Sequence, residues 1–189
     1  ILQDEKIKVV LLKGMALELT TYGNEGLRQM SDVDVLVDRK NCIKAWNILQ
    51  KYGFTSLPVK SVFHRLIIAD TGKHLPSLIK GTFQFELHHE LFGGRKNNLT
   101  KMVFENSNVF IVNNLQTNIP APQILFLYLV KHLYQHETRG ESQLRLYADL
   151  VVLIEKYRDE IINYKLLDLS LEAGLKDILA WKLEPLRDL

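Results

Sequence analysis

Two aspartates separated by a single residue are the feature of this sequence that most clearly predicts chemistry. Asp32 and Asp34 open the otherwise apolar segment Asp32–Val37. Alternate residues of a strand share a face, so the aspartates face one side, about 7 Å apart along the chain, and the three valines face the other. Paired acids repel each other unless a cation lies between them, and hard divalent cations prefer oxygen ligands. The pair therefore predicts a Mg²⁺ site whose coordination shell a nucleotide phosphate completes.

The elements before this strand support that interpretation. Residues 7–12 form a short segment rich in branched apolar side chains, which predicts a buried strand that ends at Lys13 and Gly14. Residues 15–22 are predicted to be a helix. A glycine lets the backbone approach a ligand, and the helix N-terminus offers free N–H groups and a positive dipole end. Lys13 and Arg28, close in sequence to this turn and to the acids, are predicted to contact phosphate.

A second alternating segment, residues 82–91, contains a third carboxylate. Glu86 and His88 share one face of this predicted strand, and the other face is mostly apolar. If the strand lies beside the acidic strand, Glu86 joins Asp32 and Asp34, and three carboxylates suit two divalent ions about 3.5–4 Å apart. Taken singly, each acid also fits an ordinary solvated strand face, and that alternative stays open.

The histidines do not form a convincing zinc motif. His88 and His89 are adjacent and face opposite sides of a strand, so they cannot easily chelate one ion. His132 and His136 have the spacing of a helical metal pair, but the glutamate that a metalloprotease needs is missing between them. His88 and His132 are therefore predicted to support the site from outside the metal shell.

The composition is that of an ordinary globular protein. The chain has 189 residues, 47% of them hydrophobic, and a net charge of +2, which argues against a long nucleic-acid track. The single cysteine, Cys42, excludes an internal disulfide and fits the cytoplasm. No apolar run is long enough to span a bilayer. The chain begins at Ile1 without a methionine, so we expect an N-terminal segment to precede it.

The periodicity changes near Pro120. Before it, we expect an α/β core over 1–118. The further elements predicted in this core are a helix at 41–52, a strand at 63–69, a loop up to Gly81, a basic loop around Arg95 and Lys96, and a weak strand at 109–113. After it, we expect a helical subdomain over 119–189, with helices at about 121–137, 141–158, 163–173 and 175–187.

These residues resemble a known family. They are similar to the uncharacterised nucleotidyltransferases of the polymerase-beta-like superfamily. The shared pattern consists of Leu12-Lys13-Gly14, an Ala-Leu helix, Tyr22, Arg28 and the run 31–37, with Phe85-Glu86-Leu87-His88 further on. The resemblance implies an α+β fold: a small mixed β-sheet core with flanking helices, followed by a helical unit. It also implies transfer of a nucleoside monophosphate from a nucleoside triphosphate to an acceptor hydroxyl, with release of pyrophosphate.

The resemblance assigns roles to individual residues. Asp32, Asp34 and Glu86 would be the catalytic ligands of Mg²⁺ or Mn²⁺. Nucleotide binding would involve the five residues Lys13, Gly14, Met15, Arg28 and Ser31. These residues do not identify the acceptor, a small molecule or a macromolecule.

Two positions depart from the superfamily pattern. Met15 follows Gly14 where glycine or serine is common, and the third carboxylate is Glu86 instead of aspartate. An extra methylene moves a carboxylate by about 1 Å, and a misplacement of that size can reduce the rate about 100-fold. A catalytically inactive nucleotide-binding or regulatory module, antitoxin-like, is therefore the alternative. A metal-dependent phosphohydrolase is a third possibility.

Overall fold

The chain forms two compact units. The computed structural model describes residues 1–23, 26–57, 72–92, 98–141 and 144–183. The first unit comprises Ile1–Lys96 and Ser107–Pro120, and the second comprises Asn97–Asn106 and Ala121–Leu189. The segment 97–106, which the sequence pattern left in the α/β core, thus belongs to the second unit. The strand predicted at 63–69 and the loop with Arg95 and Lys96 lie outside the described residues.

The first unit is built on a mixed sheet, as predicted. Its strands are β1 (Val9–Leu11), β2 (Asp32–Val37), β3 (Thr55–Ser56), β4 (Leu78–Lys80), β5 (Phe83–His88), β6 (Ser107–Val112) and β7 (Leu115–Pro120). Its described helices are α1 (Lys13–Leu17), which continues as a π-helical segment (Glu18–Tyr22), and α2 (Arg39–Lys51). Within the described residues the strand order is β3-β4-β5-β2-β1-β7-β6. Strand β2 is central: it pairs antiparallel with β1 and parallel with β5.

The side-chain alternation of β2 explains its central place. Val35 and Val37 are buried in a core that α2 covers with Trp46 and other apolar residues. Helix α2 begins after Asp38, whose carboxylate accepts a hydrogen bond from the Lys40 amide, a usual N-cap. The Trp46 indole N–H donates to the Pro76 carbonyl at 2.9 Å, which attaches α2 to the chain just before β4. Helix α2 thus packs on the valine face of β2, opposite the face of the aspartates.

The second unit is helical. Its elements are α3 (Asn98–Glu105), α4 (Pro122–Glu137), α5 (Leu144–Ile161), α6 (Lys165–Glu172) and α7 (Lys176–Leu183). Half of the residues of helix α4 are buried, among them all of 124–130, and Lys182 of α7 forms an ion pair with its last residue, Glu137. None of the helices in the described part of the chain has the length and apolarity needed to cross a membrane.

Several local predictions were wrong at element boundaries. Strand β1 ends at Leu11 and helix α1 begins at Lys13. Lys13 and Gly14 are therefore the first residues of the helix and not a turn before it. The segment before Gly81, predicted to be loop, contains β4, which pairs antiparallel with β5. The helix α3 and the strand β7 have no counterpart in the predicted elements. Strand β7 has few apolar positions, whereas α3 was missed although Leu99, Met102 and Val103 have the spacing of one helix face.

Candidate active site

The parallel pairing of β2 with β5 brings the predicted carboxylates together. Asp34 lies directly opposite Glu86, Asp32 opposite Gln84 and Leu36 opposite His88. The pairing confirms the prediction that Glu86 joins the aspartates on one face of the sheet. Asp34 is 4% exposed, so its carboxylate is held within the protein rather than on a solvated face.

His88 contacts both carboxylates from the same strand face as Glu86. Its Nε2 lies 2.6 Å from Oδ1 of Asp34 and 3.6 Å from Oε2 of Glu86. Asp34, Glu86 and His88 each offer one ligand atom, and the three atoms lie within 4.8 Å of one another. His88 thus lies beside both acids, and its predicted role outside the metal shell stays a prediction.

Lys13 reaches the same carboxylate from the other side of β2. The Leu12 amide donates to the Asp34 carbonyl at 3.0 Å, which extends the antiparallel pairing of β1 and β2 to the site. Lys13 follows with a left-handed backbone (φ 42°), unusual outside glycine, and its Nζ donates to Asp34 Oδ1 at 2.9 Å. Backbone strain of this kind is common at functional sites. The ammonium group compensates the buried negative charge.

These contacts control the charge of Asp34. Burial raises the pKa of this carboxyl, but the His88 hydrogen bond and the Lys13 charge outweigh it and lower the pKa from 3.8 to about 2. Asp34 is therefore ionised at neutral pH. An ionised, buried carboxylate beside a second acid is what a cation site requires.

Ser77 orients the third carboxylate. It immediately precedes β4, and the antiparallel pairing of β4 with β5 places it next to Glu86. Its hydroxyl donates to Oε1 of Glu86 at 3.0 Å, and Ser77 is 8% exposed. No sequence pattern identified Ser77, because its segment has the composition of a loop.

Among the residues predicted to bind nucleotide, Arg28 lies beside Gly14 at the start of α1. A Cβ added to Gly14 would lie 2.7 Å from Cγ of Met30 and 3.4 Å from Nη1 of Arg28, so both side chains pack against this glycine. Arg28 is 8% exposed, and its guanidinium donates to the Gln29 carbonyl at 2.6 Å. Met30 occupies the space that the missing side chain of Gly14 leaves open. Met15 is partly buried in α1.

The other predicted residues do not belong to this cluster. Asp32 is partly exposed and does not belong to the three-residue cluster, although it shares its strand face with Asp34. Ser31, which is exposed, donates its hydroxyl to Asp32 at 3.2 Å. His132 lies on α4 of the second unit, with its ring stacked on Tyr128 and edge-on to His136. The catalytic, metal-binding and supporting roles of these residues stay predictions.

The donor set of the cluster fits a divalent cation. Asp34 and Glu86 supply carboxylate oxygens, which suit Mg²⁺ and Mn²⁺, and His88 supplies an imidazole nitrogen, which suits transition-metal ions. Burial of Asp34 and His88 and the Ser77 hydrogen bond fix the donors in place. Asp34 and Glu86, with Asp32 beside them on β2, are thus the residues that would hold such an ion.

Comparison with known proteins places the chain in a family. The model of the uncharacterised nucleotidyltransferase family matches residues 1–184. The chain belongs to this family. The prediction of a nucleotidyltransferase, made from the Lys-Gly turn and the paired aspartates, is therefore confirmed at the level of the family and of the enzyme class. No protein with a curated function matches the sequence.

Solved structures show that the fold is shared with proteins of very different sequence. The nucleotidyltransferase resembles the antibiotic-resistance factor ANT(2″)-Ia in complex with adenylyl-2″-tobramycin, with 8% identity, a TM-score of 0.57, and coverage of 93% of this chain and 90% of that one. It also resembles an antigenic nucleotidyltransferase-like protein from Paracoccidioides brasiliensis, with 15% identity, a TM-score of 0.61, and coverage of 100% and 84%. At these identities the likeness confirms the predicted nucleotidyltransferase fold and nothing finer.

Proposed function

We propose that this chain is a metal-dependent nucleotidyltransferase that transfers a nucleoside monophosphate from a nucleoside triphosphate to an acceptor hydroxyl and releases pyrophosphate. The observation that carries the proposal is the register of β2 and β5, in which Asp34 lies opposite Glu86. Their carboxylates are within metal-bridging distance in a chain that belongs to a nucleotidyltransferase family.

In this proposal Asp34 and Glu86, together with Asp32, hold Mg²⁺ or Mn²⁺. A divalent ion in such a site stabilises negative charge on the phosphoryl oxygens and orients the triphosphate. The protein contributes fixed positions: Ser77 restrains Glu86, and Lys13 and His88 keep Asp34 ionised. These constraints favour catalysis because little reorganisation is needed when substrate binds.

The nucleotide is proposed to lie at the start of α1. Arg28 and Lys13 carry the positive charges nearest to the acids in sequence, and both suit phosphate oxygens. Gly14 and Met15 contribute backbone near these charges, and Ser31 contributes a hydroxyl. Because the Arg28 guanidinium and Met30 pack against Gly14, binding at the glycine itself requires Met30 to move.

The experiment measures transfer of label from α-labelled triphosphates, with Mg²⁺ or Mn²⁺ and a panel of acceptors. Aminoglycosides belong in the panel because ANT(2″)-Ia was solved with adenylyl-2″-tobramycin, and tRNA and protein hydroxyls extend it. We expect transfer with release of pyrophosphate, reduced roughly 100-fold or more in Asp32→Asn/Asp34→Asn. Asp4→Asn is the matched control, because this side chain is 86% exposed. Equal activity in the double variant and the wild type contradicts the proposal, and release of inorganic phosphate indicates a phosphohydrolase.

A second candidate is a nucleotide-binding module without turnover. It is favoured by one observation: Asp34 Oδ1 already accepts hydrogen bonds from both Lys13 and His88, so its charge is compensated without a metal ion. Calorimetric titration of ATP with and without Mg²⁺ separates the two candidates. Binding that does not depend on Mg²⁺, together with no transfer to any acceptor, supports the module.

A further inference from the structure

We propose that His88 is itself a metal ligand, so that a divalent ion binds to Asp34, Glu86 and His88 through two oxygens and one nitrogen, with preference for Mn²⁺ over Mg²⁺. The inference rests on the proposed function to the extent that both place a divalent ion at Asp34 and Glu86. It differs from the three-carboxylate site predicted from the sequence, in which His88 only supports the ligands.

The register of the sheet sets the position of the imidazole. Glu86 and His88 are two residues apart on β5 and therefore share a face, and β5 runs parallel to β2. The Nε2 atom lies 2.6 Å from one carboxylate oxygen of Asp34 and 3.6 Å from one of Glu86. A nitrogen this close to two carboxylates lies where a shared ion would be coordinated.

The ring has few alternatives to this position. The His88 side chain is 7% exposed, and its edge-on contact with His74 has ring centres 5.2 Å apart. Among the described residues, Nδ1 is buried and has no hydrogen-bond partner, so Nε2 makes the polar contacts of the ring. The buried ring thus directs Nε2 at the two acids, and this nitrogen can bind a cation once its proton has moved to Nδ1.

A nitrogen ligand changes which ion is preferred. Mg²⁺ binds oxygen ligands and retains water, whereas transition-metal ions accept imidazole readily. When an ion takes the lone pair of Nε2, the remaining ring proton is on Nδ1. The hydrogen bond from Nε2 to Asp34 is then replaced by coordination of both groups to the same ion.

The competing role is that His88 only positions Asp34 by donating a hydrogen bond. The variant His88→Gln separates the two roles, because a glutamine amide can donate to Asp34 but supplies no imidazole nitrogen. His136→Gln, the same change on a helix of the second unit, is the matched control.

The test titrates the full chain, without nucleotide, with Mn²⁺ and detects bound ion by EPR. We expect pulsed EPR of wild-type protein to show coupling of Mn²⁺ to an imidazole nitrogen, absent in His88→Gln, and Mn²⁺ affinity to fall about 10-fold or more in that variant. Mg²⁺ affinity, measured by competition with Mn²⁺, should fall much less. His136→Gln should match the wild type in both measurements.

Bound Mn²⁺ without nitrogen coupling in the wild type overturns the inference, as does unchanged Mn²⁺ affinity in His88→Gln or no binding of Mn²⁺ at all. Nucleotide transfer is assayed separately on the same samples. Transfer without nitrogen coupling leaves the proposed function standing and removes the inference, whereas coupling without transfer leaves the nitrogen ligand standing and counts against the transferase.

Discussion

Replacing Asp34 by asparagine removes a buried charge while keeping the size of the side chain. In the wild type this carboxylate accepts hydrogen bonds from Lys13 and His88, and their combined effect exceeds that of burial. We expect Asp34→Asn to destabilise the first unit at neutral pH and to change how its stability depends on pH.

The size of the effect follows from the pKa of Asp34. This pKa is about 2 in the folded protein, against an ordinary value of 3.8. At about 1.4 kcal/mol for each unit of pKa, the difference corresponds to about 2 kcal/mol. Because the folded-state pKa is depressed, this stabilisation is present above pH 3.8 and is lost as the pH falls through 2. Roughly half of it is left near pH 3.

The assay is urea unfolding at several pH values, followed by Trp46 fluorescence. Trp46 is 2% exposed and belongs to the core of the first unit, so it reports on the unit that contains Asp34. Trp181, which lies in the second unit and is 52% exposed, is replaced by phenylalanine in every sample. Asp4→Asn, at an exposed position of the first unit, controls for the loss of one negative charge.

The free energy of unfolding is compared between wild type and Asp34→Asn. We expect the difference to shrink by about 2 kcal/mol as the pH is lowered from about 6 to about 2. A difference that stays constant over this range would refute the reasoning, because Asp34 would then have no depressed pKa in the folded state. Asp4→Asn should follow the wild type at every pH.

Two further predictions concern packing near the site and on the adjacent helix. A methyl group at Gly14 would lie 2.7 Å from Cγ of Met30, so Gly14→Ala should lower the free energy of unfolding by about 1–3 kcal/mol. The loss should be clearly smaller when Met30→Ala is also present, because the shorter side chain removes the clash. An equal loss in both backgrounds would contradict this prediction. Burial raises the pKa of the Cys42 thiol to about 12 despite the opposing charge of Arg39. At pH 8 a disulfide reagent should therefore react with the folded protein about 1000-fold more slowly than with the urea-unfolded chain. The reaction is followed by the absorbance of the released group.

The sequence alone determined the chemistry of the central strand. Alternation of Asp32 and Asp34 with valines specifies which side chains share a face, because side chains of a strand have a period of two. Helical periodicity likewise predicted helix α2 and the four described helices from Pro122 onward. Together with the Lys-Gly pair, the strand pattern was enough to suggest the family to which the chain belongs.

The boundaries around the site were less predictable. Lys13 and Gly14 look like a turn, yet they begin α1, and the segment before Gly81 looks like a loop, yet it contains β4. Short strands have too few residues to show a periodic pattern, and their pairing partners supply most of their stability. Ser77, which holds Glu86, was therefore not identifiable from its neighbours in the chain.

Only the tertiary structure decided which groups meet. Asp34 and Glu86 are 52 residues apart, and their contact depends on the parallel register of β2 and β5, which no local pattern encodes. The antiparallel pairing of β1 brings Lys13 to the same carboxylate, and the alternation of β5 brings His88 to it. The paired aspartates suggested a site shared equally by Asp32 and Asp34. Sheet pairing and burial distinguish the two: Asp34 is buried and contacts His88 and Lys13, with a carboxylate oxygen of Glu86 within 4.8 Å, whereas the metal-binding role of Asp32 stays a prediction.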